Sequence, residues 1–256
     1  MTAACAALVE RGDPDRFAAL MAAPVAARGP LSVLYAFNLE VARAPWVTAE
    51  PMIAEMRLQW WRDVVGDAAQ GVTRGHEVAG PLAELIRATN LPVDVLDALI
   101  AARRWDAYRD AFADQAALDH YLEDTGAGLM WATARALGAP DTAEPVARGI
   151  GWATALAGYL RAVPELEARG RIPLVDGRAD AVAELARRGL ARLDHARQGR
   201  AAVPPAARPA LLAGWATRGL LGQVVADPAI VAEGRMGLSE FARRWGLLRA
   251  AITGRI

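Results

Sequence analysis

Apolar residues recur at helical spacing along almost the whole chain, and this pattern restricts the fold more than any other feature. Leu31, Leu34 and Tyr35 repeat at intervals of three and four, as on one face of an α-helix. Asp13–Pro14 and Glu50–Pro51 each place a proline at the first position of a predicted helix. No run of alternating residues is long enough to predict a sheet. The sequence therefore predicts an all-α fold.

The predicted helices can be placed by their capping residues and breaks. They begin near Asp13, Pro30, Pro51, Pro81, Pro92, Asp114, Thr142 and Ala179, and two more follow the loop at residues 201–209. In the third helix, Met52, Met56, Trp60 and Val64 form an apolar stripe with a repeat of four. Pro164 predicts a kink or an end near Val163. No repeat or linker divides the chain, so residues 1–256 are predicted to be one domain.

Composition excludes several classes of protein. The chain has 256 residues, of which 54% are apolar and 23% charged, as expected for a folded globular protein. All 29 basic residues are arginine and balance 29 acidic residues, which argues against broad attraction to nucleic acid. Cys5 is the only cysteine, so an intrachain disulfide or a cysteine-based zinc cluster is excluded. His76, His120 and His195 show no metal-ligand spacing.

Charge near the start and hydropathy along the chain give an expectation about location. Glu10, Arg11, Asp13 and Asp15 interrupt any early apolar segment, so no signal peptide is visible. No run of about 18 apolar residues occurs either. The sequence predicts a cytoplasmic protein, with peripheral contact to the inner membrane left open.

Two segments resemble signatures of the squalene/phytoene synthase superfamily. Residues 34–37 read LYAF, like the family segment that precedes its first acidic motif, and residues 160–174 read LRAVPELEARGRIPL, like its second. Family members use aspartates in both motifs to hold magnesium against a prenyl diphosphate. The resemblance implies a single isoprenoid-synthase-like helical bundle around a central cavity.

The first motif has lost its metal-binding residues. Ala42 and Arg43 stand in place of the paired aspartates, and Trp46 with Val47 stands in place of the later acidic pair. Magnesium prefers oxygen ligands, and neither alanine nor tryptophan supplies a side-chain carboxylate. A like charge about 4 Å from a cation costs roughly 4 kcal/mol at an effective dielectric of about 20, so Arg43 would disfavour a metal further.

The second motif is degenerate in the same way. Ala162 and Leu166 replace its two aspartates, and Glu165 remains beside them. The sequence therefore predicts no catalytic residues, no metal site and no cofactor. The surviving Arg161, Arg169 and Arg171 are the best anion-binding candidates, because guanidinium groups match phosphate oxygens.

The resemblance also suggests which residues line the cavity. The candidates are Tyr35, Phe37, Trp60, Tyr121, Met130 and Tyr159. Asp106 and Asp110, with Arg109 between them, are predicted to lie on an exposed, salt-bridged face.

Residues Thr48–Arg62 resemble a branch of the superfamily that includes a mitochondrial complex I assembly factor. The resemblance implies that the protein is non-catalytic and acts by binding a protein or lipid partner, in respiratory complex assembly. One alternative is a magnesium-dependent prenyltransferase that condenses isoprenoid diphosphates. Its ligands would then come from unexpected carboxylates, namely Glu40, Glu50, Glu55 or Asp106. Another alternative is an isoprenoid or lipid carrier with arginines at the cavity mouth.

Overall fold

The computed structural model describes residues 2–48 and 50–254, and these residues form helices and connectors without a strand. The prediction of an all-α fold is thereby confirmed. Ala49, within the Thr48–Arg62 motif, lies outside the described residues. The α-helices are α1 (Thr2–Gly12), α2 (Pro14–Ala22), α3 (Val25–Arg43), α4 (Pro51–Ala69), α5 (Ala79–Thr89), α6 (Val93–Ala102), α7 (Gln115–Leu122), α8 (Gly128–Ala136), α9 (Glu144–Ala168), α10 (Ala179–Gln198), α11 (Thr217–Ala226), α12 (Ala229–Ala232) and α13 (Glu240–Thr253).

Short helical turns of other types connect these helices. The 3₁₀ turns are Ala44–Trp46, Arg103–Ala107, Asp141–Ala143, Arg200–Ala202 and Arg208–Gly214. A π turn at Glu123–Ala127 joins α7 to α8 without a break. Such wide turns insert an extra residue into a helix and are frequent at functional sites.

Capping residues set several helix boundaries as predicted. Asp13 caps α2, because its carboxylate accepts a hydrogen bond from the backbone N–H of Arg16 at 3.0 Å, and Pro14 occupies the first helical position. Pro51 likewise occupies the first position of α4, without a side-chain cap from Glu50. The predicted start near Pro30 was wrong, because α3 begins at Val25 and contains that proline.

Pro164 lies within α9, which continues to Ala168, so of the predicted kink or end near Val163 the end was wrong. Val163 and Leu166 are both buried in the core. Proline inside a helix costs about 3 kcal/mol. Burial of the apolar side chains on either side of Pro164 offsets that cost and keeps the helix continuous.

The apolar stripe on α4 is placed differently from the predicted pattern. Met52 and Met56 are exposed, whereas Leu58 and Trp61 are buried. Each step of four residues advances about 40° around a helix, so a stripe with that repeat turns away from a flat contact surface. The buried face of α4 instead packs against α5 and α6.

The long helix α9 organises the core. It packs against α8, α10 and the π turn, and Ile150, Leu156 and Leu160 on it are completely buried. Among the helices of residues 2–48 and 50–254, none is long and apolar enough to cross a membrane.

Candidate functional site

A cavity of about 620 Å³ lies between α2, α3 and α9 and is closed below by residues of the π turn and of the segment before α11. Its floor is buried and includes Asn38, Asp106 and Tyr121. Its mouth is exposed and includes Arg43 and Arg161. The volume lies within the range of small-molecule binding sites, about 300–1,000 Å³.

One wall of the cavity carries the residues of the first degenerate motif. Ala42 and Arg43 come from the last turn of α3, and Trp46 comes from the 3₁₀ turn that follows it. Arg43 is exposed, and within residues 2–48 and 50–254 no carboxylate forms an ion pair with it. This wall therefore presents a positive charge to the cavity.

The opposite wall carries the second degenerate motif. Ala162, Glu165 and Leu166 on α9 all line the cavity. Glu165 pairs with Arg169 one turn later, at 2.7 Å. The Arg169 guanidinium lies over the Trp46 ring, 4.7 Å from its centroid, so the two walls make contact through a cation–π interaction.

Among the described residues, four carboxylates line the cavity, and each is paired with arginine. Asp13 pairs with Arg16 (2.7 Å), Asp15 with Arg161 (2.8 Å) and Arg243 (2.8 Å), Asp106 with Arg103 (3.2 Å), and Glu165 with Arg169 (2.7 Å). In the part of the chain that the structure describes, no three acidic, histidine or cysteine side chains are grouped to hold a metal ion. The donor set of this cavity does not fit the magnesium sites that the family resemblance implies.

Asp13, Asp15 and Arg16 were missed as site residues in the sequence. They line the cavity because α2, whose start Asp13 caps, brings the Asp15 carboxylate to 2.8 Å from Arg161 of α9. The signal available in the sequence was the capping residue itself, which identifies a helix start but not the neighbour of that helix.

Asp106 is buried, so its predicted exposed position was wrong. It lies in the 3₁₀ turn Arg103–Ala107 and is 4% exposed. The Tyr121 hydroxyl donates to its Oδ2 at 3.0 Å, and Arg103 donates to that hydroxyl at 2.7 Å. The tight turn replaces the regular helix in which Asp106 and Asp110 would share a face.

The three candidate anion-binding arginines are separated by the fold. Arg161 and Arg169 line the cavity mouth. Arg171 lies behind the wall, buried, and donates to the carbonyl oxygens of Trp105 at 3.0 Å and of Asp106. Its guanidinium also lies 4.9 Å from the Trp105 ring centroid. Its donors are thus used within the protein, and burial lowers its pKa.

The predicted cavity-lining residues divide into three groups. Tyr121 and Tyr159 line the main cavity. Tyr35 and Met130 line a small void beside it. Phe37 and Trp60 were predicted wrongly, because Phe37 packs in the core against Trp61 and Trp60 packs against Trp61 and His76.

Three buried polar atoms of residues that line the cavity or the void beside it have no hydrogen-bond partner among residues 2–48 and 50–254. They are the Asn38 Oδ1, the Tyr35 hydroxyl and the Arg103 Nε. Buried polar groups are usually paired, so these atoms are available to a ligand or a water molecule. Burial also raises the pKa of Tyr35 above that of a free phenol.

Comparison with known proteins shows the family. The model of the squalene/phytoene synthase family matches residues 9–175, a range that includes both degenerate motifs. The fold is similar to a crystal structure of a dehydrosqualene synthase (15% identity, 99% of this chain and 97% of that one, TM-score 0.82). It is also similar to a squalene synthase from Alicyclobacillus acidocaldarius (19% identity, 93% and 95%, TM-score 0.75).

Curated relatives with similar sequences are assembly factors. Complex I assembly factor 6 of Bos taurus is 29% identical over 169 residues, 66% of this chain and 51% of that protein. The Homo sapiens protein is 27% identical over the same shares, and the Drosophila melanogaster homolog is 29% identical over 67% and 53%. This chain thus spans about half the length of these relatives. The match of the family model over both motif regions shows that the chain belongs to the squalene/phytoene synthase family.

Proposed function

We propose that this chain is a non-catalytic member of the squalene/phytoene synthase family that binds a protein partner during assembly of a respiratory NADH dehydrogenase. The observation that carries the proposal is the pairing of each cavity carboxylate with arginine. A prenyl diphosphate leaving group needs divalent cations beside it, and each carboxylate on these walls is already paired with an arginine. The similarity to proteins named complex I assembly factor 6 supports the assembly role.

An exposed apolar patch at the start of α4 is suited to a protein partner. Val47, Met52, Ile53 and Met56 are exposed by 56%, 75%, 40% and 67%. Methionine side chains are flexible and polarizable, so they adapt to a partner surface. The patch follows Trp46 directly in sequence and so lies at the edge of the cavity wall.

The proposed absence of prenyltransferase activity is tested in vitro. The protein is incubated with farnesyl diphosphate and magnesium, and released pyrophosphate is measured beside an active dehydrosqualene synthase. We expect no release above the background without protein. Release that the Asp106→Asn variant abolishes would establish catalysis and overturn this half.

The assembly half is tested in the organism that makes the protein. Loss of the chain is expected to reduce assembled NADH dehydrogenase on native gels. A copy with Glu165→Gln should restore assembly, whereas a copy with Met52→Ser and Met56→Ser should not. The matched control is Val25→Ser, at an apolar residue 77% exposed elsewhere on the surface. Normal assembly without the chain would contradict the proposal.

A second candidate function is an isoprenoid or lipid carrier. It is favoured by the cavity volume together with the unpartnered Asn38 Oδ1 on the floor and the unpaired Arg43 at the mouth. An apolar tail would occupy the interior while Arg43 contacts a polar head group. Native mass spectrometry of the purified protein tests this candidate, and a co-purified lipid that Asn38→Leu displaces would support it.

A further inference from the structure

The last helix, α13, exposes a continuous apolar stripe. Phe241, Trp245, Leu248 and Ile252 are exposed by 77%, 58%, 50% and 74%. Their spacing of four, three and four places them on one helix face, within about 60° of arc and along about 16 Å of axis. Large apolar side chains that are exposed together in this way mark an interaction surface.

The opposite face of α13 is attached to the protein body. Ala250 is buried at 1% exposure. A Cβ placed on Gly246 would lie 3.5 Å from the Trp215 ring, and an Arg243 guanidinium nitrogen lies 2.8 Å from the Asp15 carboxylate. These contacts fix the helix and direct the apolar stripe away from the core.

Arginines flank the stripe on both sides. At about 100° per residue, Arg244 lies roughly 70° to one side of the centre of the stripe and Arg249 roughly 70° to the other. The Arg244 side chain is 81% exposed, and its Nε pairs with the Glu240 carboxylate at 2.8 Å. Arg249 is exposed, and no carboxylate in residues 2–48 and 50–254 pairs with it. An apolar strip between two basic edges matches a bilayer surface, where acyl chains lie beneath a plane of phosphates.

We propose that α13 lies on an anionic lipid surface, with its four apolar side chains inserted between head groups and Arg244 and Arg249 in contact with lipid phosphates. Trp and Phe are residues that such interfacial helices bury. A second copy fits less well, because antiparallel pairing of two α13 stripes would oppose arginines. Four side chains also fall short of the roughly 800 Å² per partner of a stable dimer.

This inference is independent of the proposed function, since it uses neither the cavity nor the α4 patch. The test is co-sedimentation of the whole chain with vesicles of phosphatidylcholine and phosphatidylglycerol, compared with phosphatidylcholine alone. We expect binding to the anionic vesicles that weakens as salt increases.

Substitutions in α13 test whether this helix is the part of the protein that binds the vesicles. Serine at all four positions, Phe241, Trp245, Leu248 and Ile252, is expected to lower the partition coefficient more than about tenfold. Arg244→Gln with Arg249→Gln should lower it about fivefold or more and reduce its salt dependence. Met52→Ser with Met56→Ser is the matched control, because these residues are equally exposed on α4, and it should bind as the wild type does.

A second measurement keeps the test valid if the four-serine variant fails to fold, because it uses the wild type and one conservative variant. Vesicles with brominated acyl chains should quench the wild-type tryptophan fluorescence, and Trp245→Phe should remove most of that quenching. The inference is overturned if the wild type does not bind anionic vesicles at low salt, or if the α13 and α4 variants lose binding equally. A wild-type dimer that the four serines dissociate, without vesicle binding, would assign the stripe to a second copy and also overturn it.

Discussion

Arg161 of α9 and Asp15 of α2 form an ion pair across the mouth of the cavity, with 2.8 Å between Nη1 and Oδ2. The other oxygen of Asp15 lies 2.8 Å from an Arg243 nitrogen of α13. One carboxylate therefore connects three helices that are distant in sequence. It neutralises part of the positive charge that remains where the family carries acidic motifs.

Replacement of Asp15 should lower stability modestly. Asp15→Asn weakens two partly exposed ion pairs, each worth up to about 1 kcal/mol, so we expect the free energy of unfolding to fall by about 1 kcal/mol. Urea denaturation measures the change. Glu184→Gln is the control, because Glu184 and its partner Arg187 are both more than half exposed, and it should have no measurable effect. Equal losses in the two variants would contradict a bridging role for Asp15.

Arg171 is expected to contribute more to stability than the exposed arginines do. Arg171→Gln removes charged hydrogen bonds to two buried carbonyls and the stacking against Trp46 and Trp105. We expect a loss of about 3 kcal/mol in the free energy of unfolding, measured by urea denaturation. Arg169→Gln changes an exposed arginine on the same connector and should cost less than about 1 kcal/mol. A loss for Arg171→Gln as small as that control would show that the buried contacts are dispensable.

Two glycines of α9 should respond to alanine with opposite signs. A Cβ at Gly151 would lie 2.8 Å from the Cα of Ala127 in the π turn, whereas a Cβ at Gly158 would meet nothing within 4 Å. Gly151→Ala should therefore destabilise the protein by about 1–3 kcal/mol. Gly158→Ala should stabilise it by about 0.5–1 kcal/mol, because alanine favours helix. Thermal denaturation of the two variants measures the change in stability. Destabilisation by both would contradict the inference that Gly158 has space for a methyl group.

The buried tyrosines predict how stability depends on alkaline pH. Burial raises the pKa of Tyr35, Tyr121 and Tyr159 above the phenol value of about 10. Above that pH the unfolded chain loses these protons while the folded chain keeps them. The stability contribution is therefore complete below about pH 10 and falls above it, by at most about 1.4 kcal/mol per pH unit for each tyrosine.

Absorbance at 295 nm provides the measurement. We expect tyrosinate from these three residues to appear together with loss of helical circular dichroism, not before it. In Tyr159→Phe the stability should fall less steeply with pH. Reversible ionisation near pH 10 in the folded protein would show that these hydroxyls are accessible.

The sequence predicted the fold class. Local signals were sufficient there, because apolar residues repeat at helical spacing, Asp13 caps α2, and Pro14 and Pro51 occupy the first positions of α2 and α4. The absence of carboxylates at the two motifs can be read directly from the sequence. The helix predicted to begin near Ala179 does begin at that residue.

Side-chain placement depended on tertiary contacts that no local pattern encodes. Asp106 is buried because a 3₁₀ turn brings it under Tyr121, and Arg171 is buried because two distant aromatic rings enclose it. Asp15 belongs to the site because its carboxylate pairs with Arg161 of α9 across the cavity mouth. Residues of this kind can be assigned to the site or to the core only from the packed arrangement of the helices.

The π turn at Glu123–Ala127 works as a phase shift between two halves of one continuous helical segment. Its additional residue rotates everything that follows by about 100°, which lets Tyr121 face the cavity while Leu129 and Met130 pack inward. Removal of any one residue from this turn would rotate α8, which is buried on almost all sides, out of its observed packing against α6 and α9. The number of residues in this turn, more than their identity, therefore sets the orientation of Tyr121 on the cavity floor relative to the buried side chains of α8.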